Sequence, residues 1–143
     1  MRIFLTGFAL AGITAFATAV SPTLSTHKAP ADAHVYIISP ADGATVGRGV
    51  TVQFGLSGMG VAPAGVEKKD TGHHHLLIDV AALPPAGQPI PNDEHHKHFG
   101  GGQTETLLQL SPGTHTLQLE LGDANHVPFD PPVVSRRITI HVR

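Results

Sequence analysis

The residues in this chain best suited to chemistry are histidines, and they come in two runs, Gly72-His73-His74-His75 and His95-His96-Lys97-His98. Eleven histidines stand among 143 residues that include no cysteine and no tryptophan. Imidazole is the commonest metal-ligating side chain and the one whose charge changes near neutral pH. The two runs therefore point to metal binding or proton sensing. A soft Cu(I) site is disfavoured, because thiolates are absent and Met59 is the one methionine after Met1. Imidazole with carboxylate suits Cu(II) or Zn(II), and Ni(II) shares that preference. The spacing matches no metalloprotease or zinc-finger pattern, so the metal argument rests on clustering alone.

The elements that must position these rings read as strands. His34 to Ile38 is β-branched and apolar and stops at Ser39-Pro40. Val50 to Leu56 alternates, with Val50, Val52, Phe54 and Leu56 on one face. A third strand is predicted over His74 to Val80. Thr104 to Leu110 and His115 to Leu121 follow, separated by the turn Ser111-Pro112-Gly113-Thr114. In the last strand Arg136, Ile138, Ile140 and Val142 share one face. Segments 57–71, 81–102 and 123–133 are long loops rich in Gly and Pro. No segment keeps a helical period over three turns. The expected fold is all-β: a single immunoglobulin-like antiparallel β-sandwich over residues 34–143, with long Gly/Pro/His-rich loops.

Strand alternation sorts the rings. His74 shares a side with Leu76, Ile78 and Val80, whereas His73, His75, Leu77 and Asp79 take the other. His115 shares the core side of Leu117, Leu119 and Leu121. His74 and His115 are thus either satisfied half-buried histidines at a sandwich end or ligands beneath loops. Same-face neighbours such as His73 and His75 sit roughly 7 Å apart, close enough to share one ion. The run from His95 to His98 leads into Gly100-Gly101-Gly102, where glycine permits close backbone approach to a ligand. His126 belongs to the third loop. Should the three loops gather at one end, His73 or His75, one of His95, His96 and His98, and His126 converge, with Asp79 or Glu94 as a first- or second-layer carboxylate. His27, His34 and His141 read as incidental.

The N-terminus reads as an export signal. Arg2, the apolar run 3–16 and Ala17-Thr18-Ala19 predict cleavage after Ala19, with a flexible leader over 20–33. The expected location is periplasmic or secreted, with no membrane insertion after cleavage. Nine basic against eleven acidic side chains, with no basic stripe, give nucleic acid nothing to bind. After cleavage roughly 110 residues remain, enough for one core.

Val35 to Val46, Phe54 to Gly65, the Gly72-His73-His74-His75-Leu76-Leu77-Ile78-Asp79 motif and the His95-His96-Lys97-His98-Phe99-Gly100-Gly101-Gly102-Gln103-Thr104-Glu105 motif together resemble a bacterial exported family, domain of unknown function 4399. Gly113 to Leu119 and Asp123 to Ser135 extend the likeness. The resemblance implies an exported domain and supplies no activity. It adds Gln103, Glu105 and Asp123 to Asp79 and Glu94 as supporting polar positions. Phe129 stands where the resemblance leads one to expect a histidine.

The leading function is an exported metal-binding protein that buffers or delivers Cu(II) or Zn(II). Its site is drawn from His73, His74, His75, His95, His96, His98, His115 and His126. Its partners are a metal ion and another periplasmic protein. Two alternatives stand beside it: a metal-dependent hydrolase with Glu94, Glu105 or a free histidine as base, and an envelope interaction module without metal. A serine or cysteine nucleophile motif is absent, which argues against covalent catalysis.

Overall fold

The computed structural model describes residues 24–143. The expected export signal lies outside the described residues, as does the start of the leader. The described chain is all-β, with nine strands: β1 (His34–Ser39), β2 (Thr45–Val46), β3 (Gly49–Ser57), β4 (Gly60–Val61), β5 (Thr71–Ile78), β6 (His96–His98), β7 (Glu105–Gln109), β8 (Gly113–Gly122) and β9 (Ile138–Val142). They form two sheets. One runs β1-β3-β7; the other runs β2-β9-β8-β5-β4, with β6 also paired to β5. The orders β1-β3-β7 and β5-β8-β9 are compatible with the A-B-E and C-F-G neighbours of an immunoglobulin-like sandwich.

The inner faces follow from alternation. Val35, Val50, Val52, Phe54 and Leu108 from the smaller sheet meet Leu76, Ile78, Leu117, Leu119, Leu121, Ile138, Ile140 and Val142 from the larger one in a single buried cluster. Each fully buried leucine there stabilises the fold by about 1.5–3 kcal/mol relative to exposure. His74 joins this face, its ring 5.2 Å from that of Phe54.

Two short strands, β4 and β6, lie in stretches expected to be loops, and β2 lies where no strand is predicted. Two or three residues carry no readable period, and tertiary pairing alone makes them strands. The third strand also differs from its predicted bounds, beginning at Thr71 and ending at Ile78. Parallel pairing of Gly60–Val61 with Thr71–Gly72 extends its start. Its end is set by Asp79, whose φ of 58° leaves the extended region. The Asp79 carboxylate turns back to accept the Thr116 N–H at 2.8 Å. The last strand starts at Ile138, because Arg136 lies outside the ladder and reaches Asp42 at 3.0 Å.

The outer face of β5 departs from the usual wet face of an antiparallel sheet. His73, His75 and Leu77 on that face are as buried as the core residues. Three loops cover them and are laced to one another by backbone hydrogen bonds. Gly65 N–H donates to Ala124 O (2.9 Å), Ala64 N–H to Gly100 O (2.8 Å) and Ile90 N–H to His126 O (2.8 Å). Residues 24–33 also lie against the domain, with Leu24 N–H donating to Gly87 O and His27 O accepting from Asp130 N–H.

Candidate metal centre

Four imidazoles meet under those loops. β5 supplies His73 and His75 on its outer face, β6 supplies His98, and the loop after β8 supplies His126. One ring nitrogen from each lies within 4.8 Å of the other three. Ring centroids are separated by 4.7 Å for the closest pair, His98 and His126, and by 6.1 Å for the widest, His75 and His126. His98 arrives because β6 pairs antiparallel with β5 in a register that sets His98 opposite His75.

His73 Nε2 is the centre of the arrangement. It lies 3.1 Å from His75 Nε2 and 3.1 Å from His126 Nδ1. A single imidazole nitrogen carries either one proton or one lone pair, so it satisfies one of these contacts and not both. With metal–nitrogen bonds of about 2.0–2.1 Å, neighbouring donors stand roughly 2.9 Å apart in a square plane and roughly 3.3 Å apart in a tetrahedron. The two separations at His73 fall between these values, and all four nitrogens lie within 4.8 Å of one another, close enough to gather on one ion.

Burial favours the neutral form of His73, His75 and His98. It lowers the His73 pKa to about 4, helped by the His98 and His126 charges and opposed by Asp123. His75 is lowered further by burial and then by His73, His98 and His126. His98 is lowered by burial and by His126. Neutral imidazole is the form that binds metal, so these three rings are ready to ligate at neutral pH.

Two glycines make the room. A Cβ on Gly122 would stand 2.9 Å from His75 Nε2 and 3.4 Å from the His126 Cα, and one on Gly100 would stand 2.6 Å from His98 Nε2. The His126 loop is held by Asp123. Its Oδ1 accepts the Asn125 and Val127 N–H groups at 2.8 and 2.9 Å, and its main-chain carbonyl accepts the His126 N–H at 3.0 Å. His126 sits in the left-handed region at φ 66°, which an L-residue keeps only when its surroundings impose it. Asp123 Oδ2 lies 2.9 Å from His27 Nδ1, so a histidine taken as incidental braces the loop that carries a candidate ligand.

The other candidate residues lie elsewhere. His74 points into the core, where burial lowers its pKa to about 4. Backbone groups of Gln103 and Gly55 oppose that shift, but both ring nitrogens lack a hydrogen-bond partner among the described residues. His95 Nδ1 donates to Ile78 O at 2.9 Å, with Glu94 3.6 Å from its Nε2. His96 Nδ1 donates to Asp93 Oδ1 at 2.8 Å. His115 pairs with Asp79 at 2.7 Å through Nδ1 and donates through Nε2 to Ser111 O at 2.9 Å. Both nitrogens face acceptors, which favours imidazolium, and the Asp79 and Ser111 bonds raise the His115 pKa. Gln103 accepts the Gly101 N–H at 3.0 Å, and Glu105 accepts from Gln53 at 3.3 Å. Of the supporting acids named from the sequence, Asp123 is the one tied to a member of the four-histidine group. His34 stacks on Tyr36 and His141 meets Thr114. Phe129 is buried in the core cluster.

Sequence reasoning missed Glu120. It lies on β8 opposite His75, is fully buried, and has a pKa raised to about 7 by burial. Alternation with Leu119 and Leu121 places it on the histidine face, but its partner across the ladder follows only from the β5–β8 register.

No curated protein and no solved structure gives a significant match to this chain. The family described as Domain of unknown function (DUF4399) matches over residues 52–143, a span that holds all four convergent histidines. With well over half of its length so matched, the chain belongs to that family.

Proposed function

We propose that this protein binds one divalent transition-metal ion, Cu(II) or Zn(II), through His73, His75, His98 and His126, and that it buffers or hands on that ion outside the cytoplasm. The observation that carries the reading is His73 Nε2, 3.1 Å from two other ring nitrogens that it cannot satisfy by hydrogen bonding together. An ion resolves that conflict by accepting a lone pair from each. Four imidazoles fill a tetrahedral shell and leave no position for a reacting water, which favours holding an ion over hydrolysis. The location is argued from Arg2, the apolar run 3–16 and Ala17-Thr18-Ala19.

The test is competitive titration of untagged protein with Cu(II) and Zn(II) against chelators of known affinity. The expected result is one tight equivalent per chain, lost in His73→Ala. Binding that His73→Ala leaves unchanged contradicts the assignment. Secretion is checked separately by sequencing the mature N-terminus, which is expected to begin at Val20.

A further inference from the structure

Glu120 has no exposure, and neither Oε1 nor Oε2 has a hydrogen-bond partner among the described residues. A polar group buried without a partner is costly to the fold, so its presence near the end of β8 asks for a reason. Leu117, Leu119 and Leu121 fill the core, which turns Glu120 to the opposite, histidine-bearing face of β8. There it faces His75 across the ladder, a relation that sets Cβ atoms roughly 4.5–5.5 Å apart. Gly122, over which His75 Nε2 lies, is two residues along the same face. The sheet itself therefore sets Glu120 on the histidine-bearing face, directly opposite a candidate ligand.

The other buried acid, Asp123, is already engaged by two backbone N–H groups and by His27. Four imidazoles are neutral donors and offset none of an ion's charge. A divalent ion under these loops keeps its full charge in a poorly solvated place and gains from a nearby anion. A monovalent ion gains less.

Building on the metal-binding reading above, we propose that Glu120 is the anionic component of the site. Its carboxylate compensates a divalent ion held by the four histidines and sets a preference for divalent over monovalent ions.

The test compares the full chain with Glu120→Gln and Glu120→Leu, titrating each with Zn(II) and with Ag(I) as a redox-inert monovalent probe. Thermal midpoints of the metal-free proteins are measured in parallel. Either substitution is expected to weaken Zn(II) binding by about 10–100-fold while Ag(I) binding changes little. The metal-free midpoint of the Leu variant is expected to equal or exceed that of the wild type, because an unpartnered buried group has gone. A structural role alone would lower the midpoint and weaken both ions together, and that result overturns the proposal. Wild type that binds Zn(II) with variants that bind it equally well overturns this inference alone. Wild type that binds neither ion overturns the metal-binding reading with it. The Leu variant decides the matter if the Gln variant does not fold.

Discussion

At the scale of residues, the site depends on one ring nitrogen set 3.1 Å from two others, which a single hydrogen bond does not satisfy, and on the glycines that allow it. Gly122→Ala places a methyl 2.9 Å from His75 Nε2, and a strand-held ring has little freedom to retreat. We expect metal affinity to fall by about 10–100-fold while the far-UV circular dichroism stays that of the wild type; calorimetry and spectroscopy on one sample check both. This part of the site was partly legible in the sequence. Alternation alone placed His73 and His75 together and turned His74 away. Selecting His98 over His95 and His96 was not legible, because it depends on the register of a three-residue strand. Glu120 stayed hidden for the same reason: a polar residue between two leucines reads as a solvent-facing position until the loops above it are known.

At the scale of elements, β5 is buried on both faces, and two carboxylates hold its surroundings in place. Asp123 closes the loop that presents His126. Asp123→Ala leaves the Asn125 and Val127 N–H groups without their acceptor and is expected to cost about 1–3 kcal/mol in urea denaturation, with weaker metal binding. Asp79 ends β5 and holds His115, whose pKa it raises above 6.5. A raised folded-state pKa stabilises fully below the unfolded value of 6.5 and loses that contribution as pH rises through the folded one. Asp79→Asn keeps an acceptor for the Thr116 N–H but removes the charge. Its denaturation midpoint is expected to lie furthest below that of the wild type near pH 6 and to approach it near pH 9. The six main strands were readable from alternation and from β-branched apolar runs. The strand-ending role of Asp79 was not, since its left-handed φ goes with contacts to β8 that no local pattern announces.

At the scale of the whole molecule, the buried histidines govern the response to acid. His73 and His74 titrate near pH 4 in the fold and near 6.5 when unfolded, with His75 and His98 also lowered. Between these values the unfolded chain binds more protons, so stability is present above 6.5 and is lost as pH falls. Glu120, raised from 4.5 to about 7, acts in the opposite sense over much of that window. It is one group against four. The metal-free protein is therefore expected to show a falling urea midpoint from about pH 7 to about pH 5, and metal is expected to hold the midpoint up over that range. The two-sheet architecture was foreseeable from punctuated alternation, whereas the gathering of three long loops over one sheet face was not, because loop-to-loop hydrogen bonds leave no periodic trace. The central claim, that these loops enclose four imidazoles around one ion, is tested most directly by X-ray absorption on protein loaded with one equivalent of Zn(II). The account predicts four nitrogen scatterers at about 2.0 Å with imidazole outer-shell scattering. A first shell dominated by oxygen, or one with two or fewer imidazoles, would contradict it.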